Sequence, residues 1–241
     1  MLERLLHGFN RPKTAWPAHF DTIVSLGFNC EVSFRIQDHL DGNLDSYPFS
    51  WCYVYGDADL PRCMEYPETI LSGGVELQSN GMFLCKTTHL SFHGKTPVEQ
   101  LRLPDGREDP QAVVQAMQEL RGRMAHLEHK FQRLLEGDRT TLFVMKNAKI
   151  ALDPEGAIND VAALALWLEQ HYRGGNYLLV VVTERAYALP RLTRLENDHL
   201  TFRTVSSFAK EGQAQSGGDQ AGWAAIFDEF DGDRYALRMF Q

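Results

Sequence analysis

The eight residues YLLVVVTE, 177–184, carry no charge before Glu184 and show no alternation of polar with apolar side chains. A strand with one face in water alternates, whereas a strand covered on both faces does not. This run therefore predicts a strand with packing above and below it. TTLFVMKNA (140–148) has the same character, TIVSLGF (22–28) is a shorter version, and LTFRTV (200–205) reads as a further strand.

Between these runs the period changes. Residues 111–136 place Val113, Met117, Leu120, Met124, Leu127, Phe131 and Leu134 at steps of three and four, and Gly137-Asp138 stops the pattern. That spacing predicts a long amphipathic helix. AINDVAALALWLEQHY (157–172) reads as a second helix, followed by a turn at Gly174-Gly175-Asn176. LPRLTRL reads as a short helix, GGDQAGWAAIFDEF as a loop entering a last one, and residues 30–40 as a short helix carrying Val32, Phe34, Ile36 and Leu40. Doubly covered strands separated by helices mean βαβ units and a parallel sheet. The expectation is a three-layer α/β fold of the Rossmann-like, flavodoxin-like kind, with residues 1–241 as one domain.

Residues 41–110 break this rhythm. They are rich in glycine, proline and aromatics, and read as loops, one or two short helices and a β-hairpin turning at Ser79-Asn80-Gly81. Residues 88–93 alternate, with His89, Ser91 and His93 on one face and Leu90 and Phe92 on the other. The segment is an irregular elaboration laid over the strand ends, where open α/β sheets bind their ligands.

Composition excludes more than it selects. The formal net charge of −8 gives no support for nucleic acid or an anionic membrane surface as partner. No window approaches about 18 uncharged apolar residues, so no membrane span is expected. The first apolar stretch contains Glu3 and Arg4 and does not read as a signal peptide, which suggests a cytoplasmic protein. Cys30, Cys52, Cys63 and Cys85 form no C-x-x-C pair, so they are read as single thiols, with no metal and no cofactor. His126 and His129 lie three apart on the long helix without an acid cluster and read as a solvated face.

Chemistry concentrates in DTIVSLGFNCEVSFRI, residues 21–36. Gly27 lets the chain turn at the end of the first strand, Asn29 is a favoured N-cap type, and Cys30 stands at the head of the following helix. Unpaired N–H groups and the helix dipole there favour an anion, which would lower the thiol pKa, and the same N–H groups could form an oxyanion hole. A sulfur nucleophile also needs an imidazole to move its proton. The bland alternative is that Cys30 is a small buried hydrophobe.

IVSLGFNCEVSFRI together with SYPFSW at 46–51 resembles a bacterial family of papain-like cysteine peptidases known as DUF1796. Its pattern is a strand, a G-x-x-C turn, then P-F-D-W; Gly27, Cys30, Pro48, Phe49 and Trp51 match, and Ser50 replaces the aspartate. The resemblance extends to a histidine after an aromatic strand, matched by His93 in LSFHG, and to Asp219 ahead of Trp223. It implies Cys30 as nucleophile. His93 follows as general base, with His89 in reserve, and Asp219 as the group steadying the imidazole or simply capping a helix. A papain-like enzyme would set its cysteine helix against an antiparallel barrel; the periodicity of 140–205 predicts a parallel sheet, and that expectation is retained for the fold.

The sequence thus supports a cysteine-dependent hydrolase or acyltransferase acting on a peptide, a thioester or a glycan-linked acyl group. Gly27, Asn29, His89 and Trp51 are candidate ligand contacts, although Phe49 and Trp51 read first as plugs of the core beneath the loop. Lys146 and Asn147 could touch an anion by their place at a strand end. The alternative function is a module binding a phosphate or nucleotide-sugar at the turn 27–30, with Cys30 as a space-filler.

Overall fold

The computed structural model describes residues 19–54, 60–66, 69–71, 73–173, 176–188, 190–210 and 212–231. The N-terminal segment, the first two residues of the Gly174-Gly175-Asn176 turn and the start of LPRLTRL lie outside them. The four runs read as strands are β1 (Thr22–Ser25), β6 (Thr141–Lys146), β7 (Tyr177–Glu184) and β8 (Leu200–Val205). They form one sheet in the order β1-β6-β7-β8, and all three pairings are parallel.

Successive residues of these strands feed opposite faces, as the two-residue period of a strand requires. Leu142, Val144, Leu178, Val180 and Val182 join one apolar cluster, and Phe143, Leu179 and Val181 the other. The first face is covered by α1 (Glu31–His39) and α5 (Gln220–Asp231), through Val32, Ile36, Trp223, Ile226 and Phe227. The second is covered by α3 (Pro110–Glu136) and α4 (Pro154–His171), through Phe131, Leu134, Val161, Leu164 and Leu168. Absence of alternation in the sequence thus reports a strand buried twice over. The fold is a three-layer, Rossmann-like α/β arrangement.

α4 starts three residues earlier than its apolar period suggests. Asp153 accepts a hydrogen bond from the Gly156 N–H at 2.9 Å and Pro154 occupies the first turn. A capped, proline-led start needs no apolar residue, so periodicity alone overlooks it. Asp109 and Pro110 open α3 in the same way.

The elaboration contributes a second sheet, antiparallel, in the order β2-β5-β4-β3. Its strands are β2 (Cys52–Val54), β3 (Val75–Leu77), β4 (Met82–Cys85) and β5 (Leu90–His93), with a short helix α2 (Leu60–Glu65) between the first two. The hairpin β3–β4 turns through Gln78–Gly81 as expected, Gly81 taking φ +81°. Phe49, Cys52, Phe83, Leu90 and Phe92 belong to the same apolar cluster as Phe131 and Phe143, so the elaboration shares its core with one face of the parallel sheet. No helix among the described residues is long and apolar enough to cross a membrane.

Candidate active site

The turn leaving β1 is built under strain. Leu26 N–H still bonds the Val144 carbonyl at 2.9 Å, then Gly27 and Phe28 take φ values of +84° and +75° in succession. Glycine tolerates that conformation; for phenylalanine it costs about 1–2 kcal/mol. A Cβ on Gly27 would also stand 3.2 Å from Cys52 Sγ and 3.3 Å from the Phe49 carbonyl. The Phe28 carbonyl accepts from Val54 N–H at 3.0 Å, which ties the turn to β2. Such strain persists only where surrounding contacts impose it, and it tends to mark functional positions. Here it delivers Cys30 to the head of α1.

Asn29 is buried and its Oδ1 accepts the Glu31 N–H at 3.0 Å, while the Cys30 carbonyl takes the first helical bond from Phe34 N–H. The Cys30 residue is only 6% exposed, and its thiol is pushed up to about 11. Loss of water around the sulfur is the larger cause, and the Cys30 backbone N–H opposes it only in part. This corrects the expectation that the helix head would lower the thiol: desolvating an anion here outweighs what one turn of backbone dipoles returns. Cys30 rests as a protonated thiol.

That residue lines a cavity of about 840 Å³ at the carboxyl ends of the parallel strands. Asn29 and Cys30 come from the turn, His93 from β5, Arg123 from α3 and Lys210 from the segment after β8. Phe34, Tyr47, Trp51, Tyr53 and Phe92 supply an aromatic wall. Trp51 packs edge-on to Phe34 at 5.1 Å between centroids and donates from Nε1 to Ser46 Oγ at 3.0 Å. Phe49, by contrast, is core, set edge-on against Phe131. Of the two aromatics that could plug the core, one does and the other faces the cavity.

His93 is exposed at the end of β5, and partial loss of water, with the Arg123 guanidinium second, holds its imidazole below the ordinary 6.5. Arg123 also donates to the His93 carbonyl. Near neutrality the ring is therefore unprotonated, the form a general base requires.

The other expected members fall elsewhere. His89 is not among the described residues lining the cavity. Its φ of +54° breaks the alternation read over 88–93, so the strand begins only at Leu90. Ser91 is buried and donates to Gln78 Oε1 at 2.7 Å. Asp219 is also not among the described lining residues. Its carboxylate accepts from Ser206 N–H at 2.7 Å and Gly222 N–H at 2.8 Å, bonds that hold its pKa below the ordinary 3.8. It caps α5, the plainer of its two expected roles. Gly27 shapes the turn and is not among the described lining residues either. Ser50, where the resembling family has aspartate, is buried; its Oγ accepts from Tyr47 N–H at 2.9 Å and its carbonyl from the Ser33 hydroxyl.

Sequence reasoning missed the ion pair beside the cysteine. Glu31 and Lys146, with side chains 0% and 3% exposed, pair at 2.7 Å. Glu31 Oε1 further accepts from Ala209 N–H at 3.0 Å and Trp223 Nε1–H at 3.1 Å. The Lys146 ammonium lies 4.4 Å from the Phe208 ring centroid, and burial lowers its pKa despite Glu31. One position along, Glu184 Oε1 accepts from Phe208 N–H at 2.6 Å. Arg35 donates to the carbonyls of Ala214, Gln215 and Gly217. The segment leaving β8 is thus bound in turn to the ends of β7 and β6 and to α1, and forms one wall of the cavity. A lysine ending a doubly buried strand was the available signal, since such a charge requires a partner.

Comparison with protein-family models, characterised proteins and solved structures finds no match to this chain.

Proposed function

We propose that the protein is a cysteine-dependent hydrolase or acyltransferase, with Cys30 as nucleophile and His93 as general base. The observation that carries the reading is that a thiol at a helix head and an unprotonated imidazole on a different sheet line the same cavity. The resemblance to papain-like cysteine peptidases points the same way, through residues 21–51 and His93.

In the proposed reaction Cys30 Sγ bonds to an acyl carbon while a His93 ring nitrogen takes the thiol proton. That proton passes to the leaving group as its bond to the carbon breaks, which leaves a thioester on Cys30. Water, or an acceptor hydroxyl or amine, then attacks the thioester carbon and gives its proton to His93. The carbon–sulfur bond breaks and the proton returns to sulfur. Because the resting thiol is protonated, base catalysis takes place during attack, with no ion pair formed beforehand. Asn29, whose Oδ1 is held by the Glu31 N–H, offers its Nδ2 to the oxyanion. Peptides, thioesters and glycan-linked acyl groups are the substrate classes. Four free, buried cysteines suit a reducing compartment and hence the cytoplasm.

An anion-binding module at the turn fits less well. Asn29 Oδ1 already takes the Glu31 N–H, and Ser25 Oγ takes the Gly27 N–H at 3.4 Å. The test is labelling with a thiol-directed acyl probe followed by peptide mapping. Cys30 should be acylated near neutral pH, and His93→Ala should slow the reaction by roughly 10²–10⁴-fold. Unchanged turnover in Cys30→Ser, or labelling indifferent to His93→Ala, would end this reading.

A further inference from the structure

We propose that the cavity selects an acyl substrate bearing a negative group, held by Arg123 and Lys210 while its apolar part lies along the aromatic wall. The proposal rests on the reading of this cavity as an acyl-transfer site, and names the substrate class that reading leaves open.

The chain has 32 acidic and 24 basic residues, yet the described lining of the cavity departs from that balance. Its charged side chains among the described lining residues are Arg123 and Lys210, with no aspartate or glutamate. No carboxylate among the described residues pairs with either cation. Arg123 has given a hydrogen bond to the His93 carbonyl, but a guanidinium carries five donors in a fork suited to carboxylate or phosphate. A concave, aromatic-walled site also concentrates the field of two like charges and raises the local concentration of anions. Phe34, Trp51 and Tyr53 supply the apolar surface against which a ligand of this size orients.

The arrangement has a consequence for the chemistry. The Arg123 charge is one cause of the low proton affinity of His93. An anion bound at Arg123 offsets that charge and strengthens the imidazole as a base at the moment the substrate is in place. Occupancy and basicity are thereby linked.

Binding can be tested apart from catalysis in Cys30→Ala. The paired probes are 1-anilinonaphthalene-8-sulfonate and N-phenyl-1-naphthylamine, which share a ring system and differ in the sulfonate. The sulfonate should bind about tenfold tighter at low salt, equivalent to 1.4 kcal/mol, and the preference should shrink as salt is added. It should vanish in Arg123→Gln/Lys210→Gln and fall by part in Lys210→Gln alone, a change at an exposed loop position that puts folding at little risk. Equal affinities for the two probes, or a preference that survives the double variant with folding intact, would overturn the proposal. The two failures are distinguishable: an inert Cys30 with an intact anion preference defeats the enzyme and leaves a cavity that binds anions without acyl transfer, and an acylated Cys30 without that preference defeats only the substrate class.

Discussion

Replacing Lys146 with methionine is the perturbation whose outcome the structure constrains best. The lysine side chain is 3% exposed and faces a carboxylate that is 0% exposed, at 2.7 Å. Methionine keeps most of the volume and removes the charge, so Glu31 retains its bonds from Ala209 N–H and Trp223 Nε1–H but loses its counter-ion. Stranding one partner of a buried pair costs about 3–5 kcal/mol, against a total stability of roughly 5–15 kcal/mol. For a chain of this size each kcal/mol is worth roughly 2–4 °C in Tm, so a fall on the order of 10 °C is expected. Urea unfolding followed by tryptophan fluorescence suits the case, because Trp223 is itself part of the network. The decisive comparison is Glu31→Gln/Lys146→Met. The glutamine still accepts from Ala209 or Trp223 without a charge to compensate, so the double variant should be more stable than the sum of the single changes by about 2 kcal/mol. A loss below ~1 kcal/mol for Lys146→Met, or strict additivity in the cycle, would refute the view that this pair anchors the cavity wall.

Four further outcomes are expected. Alkylation of Cys30 by iodoacetamide in His93→Ala should climb about tenfold per pH unit above neutrality, because without the base only the thiolate reacts and the thiol sits at about 11; a plateau below pH ~9 in that variant would mean a sulfur better hydrated than its burial implies. The same shift has a stability sign. A thiol raised from 9.0 to about 11 in the fold contributes stability that is complete below 9.0 and lost as pH rises toward 11. That amounts to about 2–3 kcal/mol, and Cys30→Ala should flatten this alkaline decline in chemical denaturation. Arg35→Met removes the donors that hold the carbonyls of Ala214, Gln215 and Gly217, so amide exchange in 212–219 should accelerate while that of β7 stays unchanged; equal protection in both proteins would count against the tether. Gly218→Ala should destabilise by ~2 kcal/mol or more, since φ is +74° and the new Cβ would sit 2.6 Å from Ala209 N and 2.8 Å from Glu31 Oε1; a neutral melting temperature would contradict that packing.

Much of this architecture can be read along the chain, and particular elements show why. β7 and β8 occupy the residues that their apolar runs mark, and the Gly27-x-x-Cys30 spacing identifies a strand, a turn and a helix head without any tertiary knowledge. These are short-range properties: a two- or three-and-a-half-residue period and a backbone angle are written in neighbouring residues. His93 lines the cavity together with Cys30. His89 is not among the described lining residues, and its left-handed backbone ends the alternation that the sequence continues.

The sequence by itself determined the layered α/β scaffold, the hairpin and the position of a thiol at the mouth of the sheet. Tertiary structure alone decided the state of that thiol and the company it keeps. Whether the sulfur ionises depends on how much water the packing around it leaves near it. Whether Asp219 serves an imidazole or a helix end, and whether Glu31 finds Lys146, depends on segments far apart in the chain. Hydration and long-range pairing are properties of the folded neighbourhood, and local spacing carries no record of them.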